Sequence, residues 1–249
     1  MNRCFQREVP PSAAISGGAD LHLHTTASDG TLSPAEVVRQ AARVGLAAVA
    51  ITDHDTLEGI EEALTAAENC GLTVIPGVEV STYYQGVEIH ILGYYLDWRH
   101  AELNRLLRTL RHWRLARAEQ MVQRLQALGC DIGLEEVLAT AGQAAVGRPH
   151  VARVLVARGY AASTQEAFER YLGRGRPAYV PRKRLTPAAA LQALYRAGAA
   201  TSLAHPGLLN NPQLVRRLLQ LGFDAVEIRH SEQTRNQEYH LYRLAREAG

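Results

Sequence analysis

The sequence predicts an α/β fold, a mostly parallel sheet or barrel interrupted by an all-helical insert. Three observations carry that prediction. Short β-type runs alternate with helical runs over residues 19–98 and again after residue 185. Between residues 99 and 185 only helical periodicity remains. Histidines and acids recur at the C-terminal ends of the β-type runs, the rim where α/β architectures collect their sites.

Each element has a local reason. Ala19–Leu23 reads as the first strand. Ser33 caps the helix that follows, with Pro34 at its first position and Glu36 completing a capping box. Val37/Val38 and Ala41/Ala42 recur at helical spacing, and Gly45 ends the run. Ala47–Thr52 is an apolar run of strand length. Leu57–Asn69 is a second helix closed by Gly71, and Leu72–Ile75, Val78–Ser81 and Val87–Leu92 are three further strands. Beyond Trp98, Ala101–Leu128 predicts one long helix, with Leu103, Leu106, Leu107, Leu110, Val122, Leu125 and Leu128 on one stripe. Shorter helices are expected at 134–141, 149–158 and 164–172, followed by the basic loop GRGRPAYVPRKR. Thr186–Pro187 opens the next helix. Alternation then resumes with a strand at Ala200–Ala204, a helix at Pro212–Leu221, a strand at Asp224–Ile228 and a helix at Glu232–Glu247. The expected organisation is a disordered tail over 1–18, a barrel over 19–98 and 186–249, and a helical insertion over 99–185.

Composition narrows the classes. The 249 residues are 47% hydrophobic and 21% charged, which supports a packed core and excludes wholesale disorder. No apolar run reaches the ~18–20 residues of a membrane span. The stretch MNRCFQREVPPSAAISGG lacks the continuous apolar region of a secretory signal. Cys4, Cys70 and Cys130 are odd in number and form no C-x-x-C. That argues against a disulfide framework or a thiolate zinc site and suits a reducing cytoplasm. Lys183 is the only lysine. Residues 99–184 hold sixteen basic and seven acidic residues, a net of +9, while the rest of the chain carries −7. An acidic body with a basic insert suggests an anionic substrate meeting a cation-binding core. No Walker A or dinucleotide fingerprint is present, so ATP- or NAD-driven chemistry is not expected. Nothing points to a membrane, to double-stranded DNA or to an obligatory protein partner.

The chemistry sits at strand ends. His22 and His24 lie in LHLHTTASDG, Asp53, His54 and Asp55 in ITDHD, Glu79 in GVEVST and His90 in VEIHILG. His205 lies in SLAHPG, and Glu227 and His230 in VEIRH. His-x-His on a strand puts both imidazoles on one face, because side chains alternate with period two. A mixed nitrogen and oxygen donor set without cysteine suits manganese, iron or zinc rather than magnesium or calcium alone. Several such ligands converging suggest a multinuclear site that makes hydroxide and clamps an anionic group. Blander roles stand beside these. His205 alone reads equally as a ligand or as a hydrogen-bonding residue. Asp53 and Asp55 orient His54 or cap a helix. His230 reads as surface, His100 and His112 as solvated, and Cys70 as a small buried hydrophobe. The helix arginines at 105, 108, 111, 114 and 117 read as a solvated face.

Taken together, HLHTTASDGTLSP, ITDHDTLEG, GVEVS, IHILGY and AHPG resemble the successive motifs of PHP (polymerase and histidinol phosphatase) domains. The resemblance runs from about Ala19 to the C-terminus. It implies a distorted seven-stranded β/α, TIM-like barrel holding up to three divalent metal ions, with manganese first and iron or zinc as alternatives. The insert and the stretches GRPHVAR and YLGRGRPAYVP look more like the branch of nucleoside 3′,5′-bisphosphate phosphatases and RNase AM. By similarity, His22, His24 and Glu79 bind a first metal. Glu79 bridges to a second, held also by His90 and His205, and Asp29 and His54 bind a third. Arg148, His150, Arg174 and Arg176 face substrate phosphate, and Asp20, Asp53 and Asp55 stand behind the ligands.

Family members finish with a further strand and a Gly-Ser-Asp-x-His motif that this sequence does not contain, so truncation and an open, less stable barrel are expected. The function implied is a cytoplasmic phosphoesterase in which a metal-bound hydroxide attacks phosphorus, with no protein general acid identified. It would remove the 3′-phosphate of nucleoside 3′,5′-bisphosphates and trim short 5′-phosphorylated RNA from its 5′ end. Two rivals stand beside it: a small-molecule phosphatase of the histidinol phosphate type, and a metal-depleted module that binds nucleotide or a partner without turnover.

Overall fold

Strand β1 (Ala19–Leu23) leads into a loop and then helix α1 (Pro34–Arg43). The sequence-predicted capping box is formed: the Ser33 hydroxyl accepts from the Glu36 N–H, and the Glu36 carboxylate accepts from the Ser33 N–H. Strand β2 (Ala48–Ile51) is fully buried, as its unbroken apolar run requires, and helix α2 (Ile60–Ala67) follows. The chain is described here from a computed structural model covering residues 17–68, 70–142 and 146–248. The expected tail at 1–18 therefore lies almost wholly outside the described residues, as does Cys4.

Strand β3 (Thr73–Tyr84) corrects the expectation of two separate strands. It runs unbroken through Pro76–Gly77 because its partner changes there. Residues up to Pro76 pair parallel with β2, and residues from Gly77 pair antiparallel with β4 (Val87–Tyr94). Gly77 is needed at that switch: a Cβ there would lie 2.9 Å from the Thr52 side chain and 3.0 Å from the Ile51 carbonyl. Gln85 and Gly86 both have positive φ and form the two-residue turn that joins β3 to β4.

The insert opens with helix α3 (Ala101–Ala127) and continues through α4 (Leu134–Ala141), α5 (Arg148–Ala157) and α6 (Thr164–Ala167), which runs on as a wider turn over Phe168–Leu172. Helix α3 serves two groups of buried side chains. Leu103, Leu107 and Leu110 pack with the sheet, while Ala118, Met121, Val122 and Leu125 pack within the insert. Leu128, expected on the buried stripe, is exposed beyond the helix end. Helix α7 (Pro187–Arg196), strand β5 (Ala200–Leu203), helix α8 (Pro212–Leu219), strand β6 (Ala225–Val226) and helix α9 (Arg235–Ala248) complete the chain.

Six strands form one sheet in the order β1-β2-β3-β4-β5-β6 among the described residues, against the seven implied by the resemblance. The sheet is mixed rather than mostly parallel: β3–β4 and β4–β5 are antiparallel, and β5–β6 is parallel. It curls into a half-barrel, because the Glu227 carboxylate just beyond β6 reaches His22 on β1 at 2.9 Å. No helix of the described residues is long and apolar enough to cross a membrane.

Candidate metal centre

One buried carboxylate organises the site. Glu79 on β3 is 1% exposed, and its two oxygens face five imidazoles. Its Oε2 lies 3.1 Å from His22 Nε2, 3.2 Å from His24 Nε2 and 3.2 Å from His54 Nδ1. Its Oε1 lies 3.0 Å from both His90 Nδ1 and His205 Nε2. Asp29 joins at the rim, 3.2 Å from His24 Nδ1 and 3.7 Å from His54 Nε2. Three overlapping groups have ligand atoms within 4.8 Å of one another: His22–His24–Glu79, His24–Asp29–His54 and His54–Glu79–His90.

Local structure explains the convergence. His22 and His24 lie two residues apart at the end of β1, and their ring centroids are 5.1 Å apart. His54 makes an isolated parallel bridge with Glu79 just after β2. On β4, His90 is paired with Ser81 and so shares the face that carries Glu79 and Ser81. His205 follows β5 with φ of 28°, a conformation few non-glycine residues adopt. The Glu227 carboxylate holds it there by accepting its backbone N–H at 2.6 Å.

A cation fits this donor set. A carboxylate offers about four lone-pair sites, fewer than five imidazoles would demand if each donated a proton. His54 Nδ1 is buried and has no hydrogen-bond partner although it faces Glu79, so a ligand is missing from its lone-pair direction. The protein charges itself in compensation. Burial opposes charge on His22, His24 and His90, but neighbouring carboxylates outweigh it. Glu227 and Glu79 hold His22 at about 9, Asp29 and Glu79 hold His24 at about 10, and Glu79 and Glu88 hold His90 at about 9. Burial pulls His54 down to about 4. Burial pushes Glu79 up, yet His205, His22, His24 and His90 hold it far below the ordinary carboxylate range. The His24 hydrogen bond keeps Asp29 at about 2.

The acids expected behind the ligands differ in role. Asp53 is buried and accepts from the Thr25 N–H at 2.7 Å, the Thr25 hydroxyl at 2.8 Å and the Ser28 hydroxyl at 2.6 Å, so it fixes the loop after His24. Asp55, at φ of 53°, accepts from the Ser81 N–H at 2.9 Å and pairs with Arg114. Asp20 is exposed and accepts from the His22 N–H at 3.2 Å. Arg148 lies over the Phe168 ring at 5.3 Å, and His150 Nδ1 accepts from the Gly147 N–H at 3.0 Å as a helix cap. Arg174 and Arg176 are exposed and make no side-chain hydrogen bond among the described residues.

Two readings need correction. The arginines of α3 are not one solvated face: Arg114 pairs with Asp55, Arg111 pairs with Glu58 at 2.6 Å, and Arg117 is buried. Their i, i+3 spacing turns this row of the helix towards the segment between β2 and α2, which a charge count alone does not reveal. His230 is not ordinary surface, since its ring lies 5.3 Å from His22 and 5.2 Å from His205. Glu227, quoted as a strand-end residue without a role, anchors both His22 and His205. Its signal was its place in VEIRH at the end of the last strand.

Residues 20–158 match the PHP domain family. The chain is 37% identical over 235 residues to "5'-3' exoribonuclease Rnm" of Escherichia coli, covering 92% of this chain and 80% of that protein. It is 34% identical over 207 residues to "3',5'-nucleoside bisphosphate phosphatase" of Chromobacterium violaceum, covering 83% of this chain and 73% of that protein. A solved chain from Bifidobacterium adolescentis, classed as a metal-dependent phosphoesterase, superposes with a TM-score of 0.74 at 30% identity over 94% of this chain and 84% of its own.

Proposed function

The chain belongs to the PHP domain family and is a metal-dependent phosphoesterase, and on that premise we propose that it removes the 3′-phosphate of nucleoside 3′,5′-bisphosphates and trims short 5′-phosphorylated RNA from its 5′ end. The observation that carries this reading is the convergence of five imidazoles on the buried Glu79 carboxylate. We assign His22, His24 and Glu79 to a first cation, Glu79, His90 and His205 to a second, and Asp29 and His54 to a third. Manganese suits this nitrogen and oxygen set, as do iron and zinc. When bound, such cations supply an acidified water and positive charge for the phosphoryl oxygens.

The chain's own residues do the positioning. Glu79 would serve both the first and the second cation, since its two oxygens face different histidines. Glu227 fixes the His22 ring through Nδ1 and leaves Nε2 aimed at the site. Asp53 freezes the loop that carries Asp29. The basic insert supplies the complement for an anionic substrate, with Arg148 and His150 on α5 and Arg174 and Arg176 on the loop beyond it. A cytoplasmic setting belongs to the same reading, and Cys70 and Cys130 are free thiols.

The test is phosphate release from adenosine 3′,5′-bisphosphate with added Mn²⁺, with His205→Ala alongside. We expect one phosphate per molecule, from the 3′ position, and a loss of at least about a hundredfold in kcat/KM in the variant. Retained turnover in His205→Ala, or release of the 5′-phosphate, would overturn the assignment.

A further inference from the structure

The segment from the end of β6 to the first turn of α9 carries three polar side chains that are not assigned to a cation: Glu227, Gln233 and Gln237. All three reach back to one short turn, Pro206–Leu209, which His205 opens. Glu227 accepts the His205 N–H at 2.6 Å. Gln233 is buried, accepts the Gly207 N–H at 2.6 Å and donates to the Ile228 carbonyl at 2.8 Å. Gln237 donates to the Gly207 carbonyl at 2.8 Å and to Asn210 Oδ1 at 3.1 Å. Its own amide oxygen accepts the Thr234 N–H at 2.8 Å and the Thr234 hydroxyl at 2.9 Å, which gives the amide one orientation. Gly207 is thus gripped at both of its backbone groups. The fit is close, since a Cβ there would lie 2.5 Å from Gln233 Oε1. On the opposite side, the Ala204 N–H donates to the His90 carbonyl at 3.1 Å. A buried glutamine whose amide is engaged with the backbone of other segments fixes where those segments sit. His205 has φ of 28° and ψ of 50°, a conformation that persists only where its surroundings over-determine it.

We propose that Glu227, Gln233 and Gln237 are positioning residues, a clamp that presets His205 for the second cation, and that Glu227 makes the first and second cations bind as a pair. The inference rests on the cation assignments above. Glu227 touches both sides: its Oε1 lies 2.9 Å from His22 Nδ1, and its Oε2 takes the His205 N–H. When His22 serves as a ligand through Nε2, its Nδ1–H is committed to Glu227, and the carboxylate loses its freedom to turn. The same carboxylate then holds the His205 backbone, so part of the ordering that the second group of ligands needs is already complete. Coupling of this kind is reciprocal, and occupancy of either group favours the other. The His22 and His205 rings stack with centroids 5.7 Å apart, so a tilt of one ring is felt by its neighbour. Gln233 and Gln237 hold the far side of the turn, which keeps it from yielding when Glu227 pulls on His205.

Manganese binding to the full chain tests this without substrate. Isothermal titration gives the equivalents and their affinities, and low-temperature electron paramagnetic resonance reads the spin-coupled signal of a manganese pair. We expect the first two equivalents to enter the wild type in one cooperative step that gives the pair signal. In Glu227→Gln that step should split in two, with a single-ion signal at one equivalent. In Gln233→Met at least one equivalent should weaken by about tenfold or more, with no further loss when the same change is made in His205→Ala. Glu232→Gln, at an exposed carboxylate of the same segment, should change neither readout. Glu227→Gln and Gln233→Met each test the clamp by itself, so it stays falsifiable if one of them fails to fold. Independent steps in the wild type, cooperative binding retained in Glu227→Gln, or unchanged affinity in Gln233→Met overturns the proposal and leaves the metal centre standing. So does an equal loss from Gln233→Met with and without His205, which is the mark of a merely structural effect. No manganese binding by the wild type overturns the cation assignments and the clamp together. The expected manganese results with no turnover of adenosine 3′,5′-bisphosphate overturn the substrate reading and support the clamp.

Discussion

At the scale of single residues, Glu79 and Asp53 do different work with the same carboxylate. Glu79 faces the imidazoles, whereas Asp53 accepts three hydrogen bonds from one short loop. Asp53→Ala is expected to cost about 3 kcal/mol, because a buried N–H and two hydroxyls lose a charged partner. Denaturant unfolding measures it, and a change under 1 kcal/mol would count against the loop-fixing role. Gly30 is constrained for a different reason: a Cβ there would lie 2.4 Å from the His24 carbonyl oxygen. Gly30→Ala is expected to displace His24 and weaken manganese binding by about tenfold or more, read by isothermal titration. Much of this scale was legible in the sequence. His22, His24, His54, His90 and His205 were named from their strand ends, and all five meet at Glu79. Glu227 and His230 were harder, because no local pattern says that the last strand curls back to the first. Arg117 was missed because a helical arginine looks the same in sequence whether its row faces water or protein.

Elements show where local signals suffice and where they do not. Helix α1 was fixed by its cap, and its caps and apolar spacing agree in the structure. The strand boundary inside β3 was misplaced because Pro76–Gly77 reads as punctuation. There it marks a change of partner, with Pro76 on the parallel side and Gly77 on the antiparallel side. Pairing partners lie far apart in sequence, so no window of residues reports them. Helix α3 was predicted in length but not in its double duty. Leu107 and Leu125 sit on the same helix in different surroundings, both almost fully buried. Leu125→Ala is expected to cost about 2–5 kcal/mol, and hydrogen exchange should show the loss of protection centred on α4 and α5. Loss of protection spread evenly over the sheet would contradict two separate packing groups.

For the molecule as a whole, protons and cations compete for one site. His22, His24 and His90 are held at about 9 to 10 in the metal-free protein. Their raised values contribute stability that is complete below about 6.5, the ordinary histidine value, and is lost as pH rises through 9 to 10. A bound cation must displace those protons, so rising pH strengthens its hold. The rise in thermal midpoint on adding Mn²⁺ should therefore be larger at pH 8.5 than at pH 7, and protons should be released on binding at pH 7. At a hundredfold excess over Kd the added stability is about 2.7 kcal/mol. An equal rise at both pH values would sink this account. The continuity of α3 has a further, mechanical meaning. Its 27 residues span ~40 Å, and it is gripped near one end by the sheet and near the other by the insert. A beam clamped at both ends resists swivelling, so Arg111 and Arg114 at its middle are carried at a set distance from Glu58 and Asp55, and the insert and the metal-site loop keep one register.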